Sequence, residues 1–149
     1  AGAVLLEKTE TDKQYKSIIT SEGQKGNLLV SKSNENIKMD GKEIYKYAVT
    51  ETVKNIKNLL KISSTNIDEI KYIVPHQSNM KIMNSIASRL KIDINKMYIN
   101  IENVGNTFCA SIPIALDEMF SKKLLQEGNK IILLGYGGGL NTGSILMEV

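Results

Sequence analysis

Twice in this chain a short β-rich run passes through a polar turn into residues at helical spacing. The first passage leads from Ile70–Val74 through Pro75 and His76 into a helix striped by Met80, Met83, Ala87 and Leu90. The second leads from Met97–Ile101 through Gly105 and Asn106 into a helix opened by Thr107. That helix carries Ile112, Leu116, Met119 and Leu124 and is ended by Gly128. Alternation of this kind predicts an α/β fold with a mixed, mostly parallel sheet and helices on both faces. The last two strands, Lys130–Leu134 and Thr142–Val149, are joined by only a few residues and are expected to pair antiparallel.

Upstream, Ala1–Glu7 reads as a buried strand, and a chain that begins so deep in an element reads as the second part of something longer. Residues 9–40 are polar and broken by Gly23 and Gly26, with brief strands expected at Ile18–Ile19 and Leu28–Val30. A helix is expected from Asp40–Gly41, placing Tyr45, Ala48, Val49, Thr52, Ile56, Leu59 and Leu60 on one face with lysines opposite.

The 149 residues fit one domain, 1–149, and the 42% hydrophobic and 23% charged fractions are those of an ordinary globular protein. A net charge of +3, arginine only at Arg89, and no dense basic run exclude a nucleic-acid footprint. No apolar run is long enough to span a bilayer, so no membrane partner is expected and the cytoplasm is the default compartment. The single cysteine, Cys109, rules out an internal disulfide, and one His with no clustered carboxylates argues against a metal.

His76, the only histidine, sits where a strand hands over to a helix, the place where open α/β sheets hold ligands. Gln77, Ser78 and Asn79 crowd the same turn, which weakens the reading of His76 as a merely buried, hydrogen-bonded residue. Asn106 lies at the second strand-to-helix turn, where it serves equally as a helix cap or as a reacting group. Turns after successive parallel strands share one sheet edge, so the two side chains are expected to meet in one site. Gly137–Gly139 offers backbone amides that approach a ligand closely, or a tight hairpin connection. Cys109 reads as a buried packing residue beside Ala110 and Ser111. Pro113 cannot donate to the Cys109 carbonyl, so an irregular helix start is expected there.

Four segments in order carry a resemblance: Met39–Val49, Pro75–Asn79, Gly105–Glu118 and the run from Gly135 to Ser144. They resemble 3-oxoacyl-acyl-carrier-protein synthase III, the condensing enzyme that starts bacterial fatty acid synthesis, over the C-terminal half of such an enzyme. The resemblance implies a thiolase-like fold of two similar halves and a homodimer of the full enzyme. It also implies a decarboxylating Claisen condensation of an acyl-coenzyme A primer with malonyl-carrier protein, without a cofactor. His76 and Asn106 then correspond to two members of a Cys-His-Asn triad whose cysteine belongs to the N-terminal half. Gly138 corresponds to an oxyanion-hole amide and Asn79 to a position near the pantetheine arm. Lys46, Lys81 and Arg89 correspond to basic positions facing the acyl carrier protein. On this reading the chain alone is inactive. Two alternatives stay open: a non-catalytic module that docks a carrier protein or a partner half, and a condensing enzyme of secondary metabolism with another primer.

Overall fold

The computed structural model describes residues 1–6, 8 and 13–149. In chain order the elements are β1 (Tyr15–Ser21), β2 (Leu29–Val30), β3 (Lys38–Met39), α1 (Gly41–Ile62), β4 (Ile70–Pro75) and α2 (Met80–Leu90). They continue with α3 (Ile101–Val104), α4 (Ser111–Ser121), β5 (Lys130–Gly137) and β6 (Asn141–Glu148). The main sheet has the order β1-β6-β5-β4, and β2 with β3 forms a separate two-stranded ribbon.

The sheet is mixed, as expected, but the balance of directions differs. Only β4 and β5 run parallel, whereas β5–β6 and β1–β6 are antiparallel. The strand expected at Met97–Ile101 is reduced to a single parallel bridge, Met97 to Ile73, because Ile101 already enters α3. Tyr15–Ser21 takes the far edge by following β6 over its whole length.

The opening segment also departs from expectation. Residues 1–6 form no strand, and Leu5 and Leu6 are 97% and 87% exposed. Apolar composition alone makes no strand without a backbone ladder to join. Gly2 comes close to the body, where an added β-carbon would stand 2.6 Å from Pro113 Cβ. Glu7, the last residue of that expected strand, lies outside the described residues.

Side chains alternate across the sheet and build two cores. Ile73, Ile132 and Leu134 face α1 and α2 in one cluster with Ile56, Leu59, Met83 and Ile86. Val74 and Ile131 face the other way, toward Ala115 and Met119 of α4. Helices therefore cover both faces, as the alternation of strands and helices requires. α1 begins where expected, with the Asp40 carboxylate accepting from the Glu43 amide at 3.0 Å.

The face of α1 laid on β6 is not purely apolar. Asn55, 2% exposed, accepts from Ser144 Oγ, and its amide reaches Thr20 Oγ1 at 3.4 Å. Thr142 Oγ1 donates to Tyr47 OH at 3.2 Å. Tyr47 and Asn55 lie off the apolar stripe read from helical spacing, because hydrogen bonding to the strand, not hydrophobicity, is what buries them. Asn55→Ala strands the Ser144 hydroxyl in the interior and is expected to cost about 1–3 kcal/mol in urea unfolding; a change within a few tenths would mean that the network contributes nothing.

Candidate active site

β4 ends at Pro75, and the chain turns through His76 before Asn79 caps α2, accepting from the Lys81 amide at 2.8 Å. The His76 N–H donates to Leu134 O at 2.7 Å, which carries the parallel ladder one residue past the strand. Gln77, fully buried, secures the turn. Its Nε2 donates to Pro75 O and Tyr98 O at 2.9 and 3.0 Å, and its Oε1 accepts from Asn100 N at 3.1 Å. The side chain thus ties the end of β4 to the segment that was expected to be a strand, and it sets where α3 and Asn106 begin.

After α3, Gly105 adopts a positive φ of 69°, and Asn106 Oδ1 accepts from the Phe108 amide at 3.0 Å. The capping reading of Asn106 holds, and the residue also lines a cavity. The tether identifies which amide atom is oxygen, because only an acceptor can meet an N–H. Among the described residues its Nδ2 has no hydrogen-bond partner. Phe108 stands at φ 52°, a costly conformation for a bulky residue, and is 64% exposed. A 3₁₀ turn over Phe108–Ala110 precedes α4, the irregular start that Pro113 demands.

His76 and Asn106 line the same cavity of about 730 Å³. Asn79, Ser111 and Gly138 share its wall, and Leu29, Ile37, Met39 and Ile44 form an apolar side contributed by the β2–β3 ribbon and α1. His76 is half-buried, its Nδ1 lies 2.7 Å from Ser111 Oγ, and the Tyr136 ring stands edge-on to it at 5.5 Å. Tyr136 OH is in turn bonded to Ser78 Oγ. Burial pushes the imidazole below its ordinary value of 6.5, so the ring is neutral at neutral pH. The Gly138 carbonyl accepts from Asn141 Nδ2 at 2.7 Å, while among the described residues its N–H enters no backbone hydrogen bond.

Cys109 corrects an expectation. It is exposed at the cavity wall instead of packed inside, because the 3₁₀ turn rotates it outward before α4 begins. Among the described residues no hydrogen bond joins its sulfur to His76. The basic residues Lys46, Lys81 and Arg89 are all exposed on α1 and α2. Tyr45 bonds Ser85 at 2.6 Å and Arg89 bonds Thr50 at 3.4 Å, so the two helices run side by side in one direction. Lys46 is held by Glu43 at 2.6 Å. Ser111 passes in the sequence for a small packing residue, since nothing in its local spacing marks a contact to a histidine 35 residues away.

Among the described residues no cluster of His, Cys, Asp and Glu could hold a metal, and no helix is long and apolar enough to cross a membrane.

The chain is an α/β protein with helices on both faces of a mixed sheet and a cavity at one end of it, and comparison with known proteins gives its family. A family model described as 3-oxoacyl-[acyl-carrier-protein (ACP)] synthase III C terminal matches residues 60–149. The chain is 49% identical to a beta-ketoacyl-[acyl-carrier-protein] synthase III of Clostridium kluyveri over 113 residues, 76% of this chain and 35% of the relative. It is 40% identical to that of Clostridium beijerinckii over 162 aligned positions, 99% of this chain and 50% of the relative. The crystal structure of 3-oxoacyl-[acyl-carrier-protein] synthase III from Aquifex aeolicus superposes with a TM-score of 0.91 at 31% identity, covering 95% of this chain and 46% of that one. The chain belongs to the 3-oxoacyl-[acyl-carrier-protein] synthase III family, and it spans half or less of the length of these relatives.

The His76 ring gives a direct check. Its folded affinity for a proton is depressed, so as pH falls through 6.5 the unfolded chain takes the proton first. The contribution of His76 to stability is therefore complete above about 6.5 and lost below it. Proton NMR of this single histidine should give a midpoint below 6.5; a midpoint at or above that value would remove the case for a neutral ring.

Proposed function

We propose that this chain supplies the decarboxylation site of an enzyme that condenses an acyl-coenzyme A primer with malonyl-carrier protein to begin fatty acid synthesis. One observation carries the reading: His76 and Asn106 are each tethered through one polar atom, and both residues line one cavity. The names of the relatives, all beta-ketoacyl-[acyl-carrier-protein] synthases III, point the same way.

The chemistry follows from that polarity. When the malonyl thioester loses carbon dioxide, the electron pair of the broken C–C bond passes into an enolate whose oxygen becomes negative. Two preorganised N–H donors in a partly apolar cavity stabilise that oxygen most as its charge develops, which lowers the barrier without a metal. A neutral His76 serves better than a cation, because it gives up the oxygen when the enolate carbon attacks. That carbon forms a bond to the acyl thioester carbonyl, and the oxyanion produced there meets the Gly138 amide before the thiolate leaves. The thiol carrying the acyl group belongs to an N-terminal half outside this chain, and the full enzyme works as a homodimer. Asn79 flanks the pantetheine arm, and Lys46, Lys81 and Arg89 steer an acidic carrier protein toward the cavity mouth.

In an enzyme that joins this chain to its nucleophile-bearing half, His76→Ala and Asn106→Ala should each lower malonyl-thioester decarboxylation by about 10²–10³ while acylation of the nucleophile survives. Decarboxylation at the normal rate in His76→Ala would reject the assignment. Cys109 lines the same cavity as His76, but among the described residues no hydrogen bond joins its sulfur to a base, so this reading does not make it the acyl carrier. Intact-mass spectrometry of the folded chain after incubation with acetyl-coenzyme A should show no adduct. A stoichiometric adduct on Cys109 would mean that this chain holds a complete site of another kind.

A further inference from the structure

Ser111 is 1% exposed, and its Oγ lies 2.7 Å from His76 Nδ1. Among the described residues this is the one hydrogen bond its hydroxyl makes. A hydroxyl carries one proton and accepts through its lone pairs, so each state of the ring uses it differently. If the neutral ring holds its proton on Nδ1, that proton goes to Oγ and the serine proton is left without an acceptor in an interior site. The doubly protonated ring leaves it equally stranded. Only a neutral ring with its proton on Nε2 lets the serine hydroxyl donate to Nδ1 and satisfies both groups. A buried hydroxyl proton left unmet is costly enough to decide among nearly equal tautomers.

We infer that Ser111 is a positioning residue that holds His76 as the neutral tautomer protonated on Nε2, so that the ring enters the cavity only as a donor. The inference rests on the decarboxylation reading above and names what makes His76 able to serve it.

The surroundings restrict the ring in the same sense. The His76 amide is committed to Leu134 O and Nδ1 to Ser111, and Tyr136 packs edge-on, its hydroxyl held by Ser78. Among the described residues, Nε2 is the polar atom of His76 without a side-chain or backbone hydrogen-bond partner. Burial lowers the proton affinity of the ring and agrees with a neutral state, though the tautomer follows from the hydrogen bond alone. Ser111 is itself well placed to be rigid: it opens α4 directly after the 3₁₀ turn, and α4 packs on β4, the strand that delivers His76. The same short segment fixes the other donor, since the Phe108 amide anchors Asn106 Oδ1. Asn106 and His76 are thus both turned into donors by residues 108–111.

A single histidine makes the test clean. Nitrogen-15 NMR of this chain, labelled in the histidine side chain, should show Nε2 protonated and Nδ1 as an unprotonated acceptor. In Ser111→Ala the two nitrogen shifts should move toward each other as both tautomers become populated, and Ser111→Thr, which keeps the hydroxyl, should restore the wild-type pattern. A proton on Nδ1 in the wild-type chain, or a tautomer indifferent to Ser111→Ala, would overturn the inference. The wild-type spectrum decides the first point even if the alanine variant folds poorly, and Ser111→Cys, similar in size with a weaker donor, then decides the second by an intermediate shift or none. Carbon dioxide release is measured separately in the joined enzyme. Loss of the tautomer effect with His76 still required for decarboxylation rejects the role of Ser111 alone; an intact tautomer effect with His76 dispensable rejects the enzymatic reading.

Discussion

One buried amide holds the two halves of the site together. Gln77 takes the place of a missing ladder: where a full neighbouring strand would have paired with β4, the chain offers one bridge at Met97, and three hydrogen bonds from a side chain replace the rest. Its polar group is affordable in the interior because every partner is a backbone atom that would otherwise be orphaned. Released from strand geometry, residues 98–100 can bend into α3 and bring Asn106 back toward His76. A regular strand of the same length would carry the chain straight on along the sheet edge.

From that fixed point the site is built by subtraction. Each proposed site residue has one of its polar atoms taken up by the scaffold, and on that reading the atoms left to the cavity share one chemical sense. Asn106 loses its acceptor to the Phe108 amide, His76 has Nδ1 engaged by Ser111, and Gly138 gives its carbonyl to Asn141. On the proposed reading the cavity receives N–H groups from three separate turns. Such a surface suits an oxygen that becomes negative and offers little to a cation.

Much of this was readable in the residues and some was not. α1, β4, α2 and the final hairpin were legible because helical spacing, Pro75 and the glycine loop are local signals. The sharing of one cavity by His76 and Asn106 was legible too, although the route differs: Asn106 follows the short helix α3 instead of a second strand. The strand expected at Met97–Ile101 failed because a tertiary hydrogen bond from Gln77 competes with local β preference. Ala1–Glu7 looked buried because apolar residues were counted without asking what they would pair with. Cys109 looked buried because cysteines usually are, whereas a 3₁₀ turn decides its direction. Ser111 was invisible for a different reason: its significance lies in a contact across 35 residues that no spacing encodes.

The stretch from Asn106 to Ser111 has a consequence for how such a sequence can drift. Phe108 already occupies an unfavourable backbone state, at φ 52°, so residue identity there is negotiable in ways that residue count is not. Adding or removing one position before Ser111 would swing the serine about 100° around the axis of α4. It would also break the two-residue span that joins Asn106 to the next amide but one. Point substitutions can accumulate in this segment so long as the amide of residue 108 and the hydroxyl of residue 111 persist. Its length matters more than its composition, and an insertion here should disturb the structure more than one in the polar excursion near the beginning of the chain.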